Sequence, residues 1–474
     1  MCFAIIAGKL TTTDGSVIFG HNEQNFGRKV VNYTRVKRIN YNSKSGIKLS
    51  NGGVYKFKGE TYSYLWLESP GLEFSDNCFN EYGVAVAGNG CPTKEDEIDV
   101  VSKRGDIVDG GVGYMLPQLI AMLAKTAKEG VLIAAKIIEQ FGYTGTGRTL
   151  TIADTNEAWV MSIVRGKHYI ANRVPDDKVV VVPNTHIINQ EIHLNDPSKT
   201  IYSKGLIEYA IARGWHTKNE KFNFTKAYSN NANVETLRYK YGVDSRQWYV
   251  QSLISGKTAE YPPKTALPFA VKPKQKVSVK WVMSLLRSHL ENIPQLTNFT
   301  DGTPHRYEAD IDHCLIRMAC NIATQESSVF QLRSNYPVAF GCLAWRALSV
   351  PCLSVYTPWY CGVKKIPARH HVDIARDKHY NPPNEIFKDE NMAFWSFYNL
   401  AWYADSLNKV QQKHIKQTFA EIEQQQFNKQ PVIEDMFATL YNSNKNLCLE
   451  MITQYSEERS AVAELAAKQL LKNN

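Results

Sequence analysis

The first 24 residues constrain the fold most, because they predict a β-hairpin that begins at the second residue. Residues 2–8 form a short apolar run, and residues 17–20 form another. Between them lies Thr11-Thr12-Thr13-Asp14-Gly15-Ser16, with an Asp-Gly pair typical of tight turns. This hairpin would bring residues 21–24 back beside residue 2. Residue 2 would then head the first strand of the hairpin.

The remaining chain mixes strand and helix patterns. Further strand-like runs lie at 62–68, 83–88, 149–153, 158–164, 179–182, 329–332, 338–345 and 352–356. Helical patterns cover 113–141, 277–291, 392–427, 431–447 and 455–471. The polar segment at about 190–265 is interpreted as an insertion. We therefore predict an α+β protein, with one domain at 1–380 and a helical C-terminal region at 381–474 packed on it.

Composition excludes several classes of function. The 474 residues carry 55 Lys plus Arg and 46 Asp plus Glu, but the formal excess of +9 is spread along the chain, so no nucleic-acid partner is expected. No apolar run of about 18 residues occurs, and the N-terminus lacks the features of a signal peptide, which predicts a cytoplasmic protein with no membrane association.

The nine cysteines form no CxxC pair, so neither a disulfide framework nor a zinc ribbon is expected. His370-His371, near Asp373 and His379, fit solvated loop histidines better than a metal site, and we expect no metal and no cofactor.

Cys2 is the residue most suggestive of chemistry. Removal of Met1 would make it the first residue, with a thiol and a free α-amine in the same residue. Such an amine has a pKa near ~7.7–8.0, against ~10.4 for lysine, so it can act as a general base at neutral pH. A nucleophile beside an N-terminal amine is an established activation scheme. The alternative is that Cys2 is only a small residue at the start of a strand.

Several motifs then follow in order along the chain. They are N-E-x-G-(V/L)-A at 80–85, A-D-x-x-E-A-W at 153–159, V-P-D at 174–176, P-N at 183–184, R-x-W at 246–248, P-F-x-V-K-P at 268–273, L-R-x-H-x-E at 286–291, Q-L-R at 331–333 and A-W at 344–345. Headed by Cys2, this series resembles the cysteine dipeptidases of the N-terminal nucleophile (Ntn) hydrolases, the group that contains dipeptidase A and the secernins. The resemblance spans roughly residues 2–365.

The resemblance implies a four-layer αββα sandwich. It also implies hydrolysis of dipeptides or small peptides through an acyl-enzyme on Cys2, with its α-amine as general base. Two alternatives stay open: an amide hydrolase for non-peptide substrates, like the penicillin and bile-salt acylases, and a non-catalytic, secernin-like binding protein. A small peptide is the expected partner, and a homo-oligomer stays open.

Roles for individual residues follow from this resemblance and from the needs of amide hydrolysis. Asn184 would give its side-chain amide to an oxyanion hole, and Asn89 its backbone N–H. Ordinary turn chemistry is the alternative for Asn89, which lies between two glycines. Arg246 would lie near Cys2 or bind a substrate carboxylate, since its guanidinium forms bidentate pairs. The alternative for Arg246 is a structural ion pair.

The segment after the second strand departs from the family pattern. His21 stands where the relatives have Arg or Lys, and Gln24 stands where they have Asp. We expect His21 and Asn22 to contact substrate and Gln24 to lie beside the Cys2 amine. Because Gln24 carries no charge, the amine would lack its usual carboxylate partner. Glu23 would supply one if the hairpin register slipped by one residue.

Overall fold

Two large antiparallel sheets lie face to face, with helices on both outer sides, in a computed structural model of the chain. The structure describes residues 2–25, 30–42, 46–69, 74–230, 244–257, 266–291, 318–371 and 391–473. This arrangement is the predicted four-layer αββα sandwich. Within the described ranges, no helix is both long and apolar enough to span a bilayer.

Strands occupy most of the first half of the chain. They are β1 (Phe3–Ala7), β2 (Val17–Gln24), β3 (Asn32–Val36), β4 (Asn40–Tyr41), β5 (Ile47–Lys48), β6 (Val54–Tyr55), β7 (Gly59–Glu60), β8 (Tyr64–Ser69), β9 (Phe74–Asn80), β10 (Ala85–Gly90), β11 (Arg148–Ala153), β12 (Ala158–Ile163), β13 (Tyr169–Arg173), β14 (Val179–Val182), β15 (Thr200–Tyr202), β16 (Ala270–Val271), β17 (Thr324–Leu332), β18 (Cys342–Leu348) and β19 (Thr357–Tyr360).

Helices dominate the last eighty residues. The helices are α1 (Ile98–Lys103), α2 (Leu116–Leu123), α3 (Ala127–Phe141), α4 (Leu206–Ala212), α5 (Phe224–Tyr228), α6 (Ser245–Ser255), α7 (Val279–Leu286), α8 (Val338–Gly341), α9 (Ala393–Ala404), α10 (Lys409–Ser443) and α11 (Lys445–Asn473). Two short 3-10 helices lie at Pro351–Leu353 and Ala368–His370.

The predicted N-terminal hairpin is present and lies at the centre of one sheet. Its strand order is β16-β14-β1-β2-β17-β18-β19, so β1 has a partner on each side. Ala4 pairs with His21 on β2 and with Val182 on β14, while Phe3 pairs with Asn22. The residue before Phe3 is therefore held at the end of an interior strand.

The second sheet has the order β15-β13-β12-β11-β10-β9-β8-β3 and packs against the first. Phe79 of the second sheet meets Phe330 of the first, with ring centroids 5.4 Å apart. Ala85 and Ala87 of β10 are also buried in the core that the two sheets share. Helices α2 and α3 cover the other face of this second sheet and bury a separate apolar cluster there.

The C-terminal helices form part of the main core. Phe437, Cys448 and Ile452 belong to the same buried cluster as the seven-stranded sheet. Trp345 of β18 stacks on Phe427 of α10, with ring centroids 4.5 Å apart. The helical C-terminal region is thus confirmed, while the predicted boundary at 380 lies outside the described residues and stays a prediction.

Local predictions were wrong in five places. The predicted helix at 392–427 is interrupted, since α9 ends at Ala404 and α10 begins at Lys409. The predicted helix at 113–141 is two helices, because Thr126 caps α3 by accepting a hydrogen bond from the Glu129 N–H at 3.1 Å. The predicted strand at 338–345 starts with the helical turn α8, and the one at 352–356 overlaps a 3-10 helix. The predicted break at Pro431 is absent, since α10 runs through it.

Candidate active site

The Cys2 thiol lies beside two titratable side chains of β2. Since side chains alternate along a strand, His21 and Glu23 point to the same face of the hairpin. Sγ of Cys2 is 3.8 Å from Oε2 of Glu23, and one donor atom from each of the three residues lies within 4.8 Å of the others. All three residues are buried, and Cys2 is only 2% exposed. The structure therefore forms a compact Cys-His-Glu cluster.

The charges around the thiol favour its ionised form. Burial and the Glu23 carboxylate act to raise the pKa of Cys2, but the positive N-terminus and His21 outweigh them, so the pKa is lowered. Burial acts to lower the pKa of His21, but contact with Cys2 and the charges of Glu23 and Glu326 raise it overall. Both shifts run in the direction of a thiolate beside an imidazolium, and the thiolate is the reactive form of a cysteine.

Arg246 is fully buried and holds the start of β1 in place. Its Nη1 donates to the Cys2 carbonyl oxygen at 3.3 Å and to Oε1 of Gln24 at 3.2 Å. Nη2 donates to Oδ1 of Asn184 at 2.9 Å and to Oδ2 of Asp244 at 2.8 Å, while Nε donates to Oδ1 of Asp244 at 2.8 Å. A guanidinium has five N–H donors, and here five acceptor atoms engage it.

These contacts decide between the interpretations of Arg246 that the sequence left open. Arg246 lies near Cys2, as expected, and forms a structural ion pair with Asp244, the N-cap of α6. Because its donors are engaged by protein groups, it is a positioning residue for Cys2 and Asn184. A substrate carboxylate would have to displace these buried contacts to reach it.

Asn184 and Asn89 lie at the junction of the two sheets. The Asn184 amide accepts from Arg246 and donates from Nδ2 to the Gly90 carbonyl oxygen at 3.0 Å, so its orientation is fixed. Nδ2 of Asn89 donates to the carbonyl oxygens of Val182 at 3.0 Å and Pro183 at 3.3 Å. Asn89 thus ties β10 to the end of β14, and it lies within strand β10, not in the turn that its flanking glycines suggested.

Gln24 and Asn22 point away from the thiol, to the other face of β2. Nδ2 of Asn22 donates to the carbonyl oxygens of Leu286 at 3.0 Å and Ala319 at 2.7 Å, so this buried side chain holds neighbouring backbone. We therefore correct the predicted substrate contact of Asn22 to a structural role. Nε2 of Gln24 donates to the same Ala319 oxygen at 2.7 Å, and its Oε1 faces Arg246. No slip of register is needed for a carboxylate at Cys2, because Glu23 already lies there.

Sequence reasoning missed a second buried guanidinium, that of Arg148. Burial lowers the pKa of Arg148, while the charges of Cys2 and Glu23 act to raise it, so this side chain lies within electrostatic range of the thiol. Its guanidinium carbon is 5.2 Å from the centre of the Tyr114 ring. Gly88 makes room for it, because a Cβ there would lie 2.4 Å from Nε of Arg148. The glycine at 88 was the available signal, since a glycine inside a strand often marks close approach by another group.

His370 differs from its sequence interpretation as a solvated loop residue. Its ring is buried, a ring nitrogen lies 2.9 Å from Oγ of Ser460, and burial lowers its pKa to about 3. It therefore packs neutral against α11. Asp373 and His379 lie outside the described residues.

Comparison with known proteins gives a consistent family assignment. A family model described as "Peptidase family C69" matches residues 1–421. A "Probable dipeptidase" from Latilactobacillus sakei is 26% identical over 368 residues, covering 76% of this chain and 74% of that protein. A "Probable dipeptidase B" from Streptococcus pyogenes serotype M1 is 27% identical over 380 residues, covering 77% and 72%. A "Probable dipeptidase" from Salmonella dublin is 27% identical over 384 residues, covering 77% and 81%.

Solved structures give more distant likenesses. Penicillin V acylase from Agrobacterium tumefaciens is 12% identical with a TM-score of 0.38, covering 80% of this chain and 89% of that one. A C2A mutant of conjugated bile acid hydrolase from Clostridium perfringens is 12% identical with a TM-score of 0.35, covering 73% and 89%.

Proposed function

The chain belongs to peptidase family C69, and from that membership we propose that it hydrolyses dipeptides through a thioester on Cys2. The observation that carries the proposal is the position of the Cys2 thiol, at the end of an interior strand and in contact with Glu23 and His21. A cysteine with a lowered pKa in such a cluster is suited to nucleophilic catalysis.

In the proposed reaction, removal of Met1 frees the Cys2 α-amine, which takes the thiol proton. The thiolate attacks the peptide carbonyl carbon, and the same amine returns the proton to the departing amino group as the C–N bond breaks. Water then attacks the thioester, its proton passes to the amine, and the carboxylic acid leaves with the thiol restored. His21 stabilises the thiolate by its positive charge. Glu23 is the carboxylate that orients the amine, in place of the family's Asp.

Arg246 and Asn184 prepare this site for the attack. Arg246 fixes the Cys2 carbonyl group and the Asn184 amide from one buried guanidinium. Electrostatic stabilisation of this kind is effective when donors are held before the charge develops. We therefore keep Asn184 as the side-chain donor to the oxyanion and Asn89 as the backbone donor, with Arg246 as the residue that positions Cys2 and Asn184.

We assign the substrate's terminal carboxylate to Arg148. It is a buried guanidinium at the start of β11, where Arg148 pairs with Gly90, whose carbonyl oxygen accepts from Asn184. The charges of Cys2 and Glu23 also act on it, so an anion bound there would lie on the Cys2 side of the sheets. A site containing both a carboxylate and a guanidinium suits a substrate with two charged ends. This favours dipeptides over the apolar acyl groups of penicillin or bile-salt amides.

The test compares substrates and variants of the full chain. Purified protein whose intact mass indicates loss of Met1 should release amino acids from dipeptides and leave penicillin V and a glycine-conjugated bile acid unchanged. Cys2→Ala should abolish this activity with an unchanged circular dichroism spectrum, whereas Cys448→Ser should retain it.

Three results would overturn the proposal. One is equal activity in protein that retains Met1, and another is near-normal activity in Cys2→Ala. The third is hydrolysis of the bile-acid amide in preference to dipeptides, which would support the acylase alternative. Processed protein that binds dipeptides but never hydrolyses them would instead support the non-catalytic alternative.

A further inference from the structure

We propose that His289, Cys320 and Cys352 form a zinc site that is separate from the Cys2 cluster. One donor atom from each of these residues lies within 4.8 Å of the other two. The proposal depends on these side chains alone and is independent of the proposed peptidase reaction. It also replaces our sequence-based expectation that the chain holds no metal.

The three donors come from segments that are distant in sequence. His289 follows α7, Cys320 precedes β17, and Cys352 lies in the 3-10 helix Pro351–Leu353. The backbone joins two of these segments directly, because the Cys320 N–H donates to the Ser288 carbonyl oxygen at 3.0 Å. The three ligands form no CxxC motif, so the spacing of cysteines in the sequence did not predict the site.

The donor set and its spacing fit zinc. Zn–S and Zn–N bonds of about 2.3 and 2.0–2.1 Å place tetrahedral donors roughly 3.6–3.8 Å apart. Pairwise separations of no more than 4.8 Å therefore need only small side-chain adjustments. Two thiolates and one imidazole are soft and borderline ligands, which select zinc over magnesium or calcium.

The surroundings of His289 are those of a metal ligand. Its Nδ1 lies 3.4 Å from Oε1 of Glu291, so a metal bound through Nε2 would have a carboxylate behind the imidazole. Such a carboxylate fixes the ring and makes the nitrogen a better ligand. The Glu291 side chain is itself held, since Ser288 Oγ donates to its Oε2 at 3.1 Å.

A cavity of about 270 Å³ adjoins two of the three donors and offers room for a fourth ligand. His289 and Cys352 line it, together with Glu291 and the Arg287–Glu423 ion pair. Zinc with three protein ligands keeps a water or a substrate group in the remaining position. We therefore infer a site with three protein ligands and one water from the cavity.

The site is connected to the region around Cys2 through the loop that carries Cys320. The neighbouring Ala319 carbonyl oxygen accepts hydrogen bonds from Asn22 and Gln24, both at 2.7 Å. Gln24 in turn contacts Arg246, which holds Cys2. Zinc binding would therefore rigidify a loop that supports the end of β2.

The test measures metal content in the full chain purified with a reductant. After incubation with Zn²⁺ and desalting, elemental mass spectrometry should find about one zinc ion per chain. Cys320→Ser and Cys352→Ser should each lose most of it. Cys2→Ala, which removes the thiol of the other cluster, and Cys448→Ser, a buried thiol between α10 and α11, should keep it.

A second measurement covers variants that fail to fold. In the wild-type chain, Co²⁺ should give near-ultraviolet thiolate charge-transfer absorption. Zn²⁺ should slow the alkylation of Cys352, the partly exposed thiol of the site, in denaturant-free buffer, as mapped by peptide mass. Wild-type protein that retains no metal would overturn the proposal. So would metal that is lost only in Cys2→Ala, or a Cys320–Cys352 disulfide in protein kept reduced.

Discussion

Replacing Gly88 by alanine should damage substrate binding without touching the thiol. Gly88 lies in β10 under the guanidinium of Arg148, and an added Cβ would be 2.4 Å from Nε and 2.9 Å from Nη2. Favourable contact between heavy atoms needs about 3.5–4.0 Å. The guanidinium must therefore move by about 1 Å, away from the position in which we propose that it binds the substrate carboxylate.

The size of the effect follows from the bond that is lost. A hydrogen bond to a charged group contributes about 1.5–3 kcal/mol. At about 1.4 kcal/mol for each factor of ten, kcat/KM for a dipeptide should fall roughly 10- to 150-fold in Gly88→Ala.

The assay compares each dipeptide with the same dipeptide amidated at its C-terminus. Wild type should prefer the free carboxylate, and Gly88→Ala should hydrolyse both forms at similar rates. Gly90→Ala is the matched control in the same strand, because a Cβ at Gly90 has nothing within 4 Å. It should retain both the rate and the preference of wild type.

Two outcomes would refute this reasoning. An equal loss on dipeptide and amide would mean that the alanine distorts the site in general. Unchanged kinetics on both would mean that Arg148 does not bind the substrate carboxylate, and the carboxylate would then need another partner.

Three further experiments, with four single variants and one double variant, test the residues around Cys2. In His21→Gln the thiol loses a cause of its lowered pKa, so the pH profile of iodoacetamide alkylation should move to higher pH; an unmoved profile would exclude His21 as the charge partner. Asp244→Asn leaves the buried Arg246 charge without its counter-ion, so the free energy of unfolding in urea should fall by about 3–5 kcal/mol. The double variant Asp244→Asn/Arg246→Met should recover part of this loss. A loss below about 1 kcal/mol would contradict the buried pair. In Gln24→Asp the new carboxylate should pair with Arg246 and leave the acidic limb of the pH–rate profile in place. Glu23→Gln removes a charge that raises the thiol pKa, so it should move that limb to lower pH. The reverse pattern would return the carboxylate role to position 24.

The sequence predicted the parts of the site that depend on local pattern. A hairpin with an Asp-Gly turn requires only neighbouring residues, so β1, β2 and the place of Cys2 at the start of β1 could be foreseen. The burial of Cys2 could not, because it depends on packing by distant segments. The position of Arg246 near Cys2 followed from the family resemblance.

What could not be predicted depends on which face of a strand or loop a side chain occupies. A family pattern aligned Gln24 with an Asp, but the alternation of β2 turns Gln24 towards Arg246 and Glu23 towards the thiol. Arg148 begins an ordinary buried strand, and only the packing of β10 beneath it brings its charge towards Cys2. Pro431 suggested a helix end, yet packing of α10 against the sheet outweighed the lost backbone hydrogen bond.

Under the proposed mechanism, which requires loss of Met1, the interior position of β1 sets a time limit for that processing step. Its partner β2 is available as soon as residue 24 is made, but β14 ends at Val182 and closes the other side. Translation at ~5–20 residues per second reaches that point roughly 10–40 s after initiation. An aminopeptidase that must free the Cys2 amine would work best within that interval, while the segment is still outside a closed sheet. Slow initiator-methionine removal should therefore yield a folded but inactive fraction that later exposure to the aminopeptidase does not rescue.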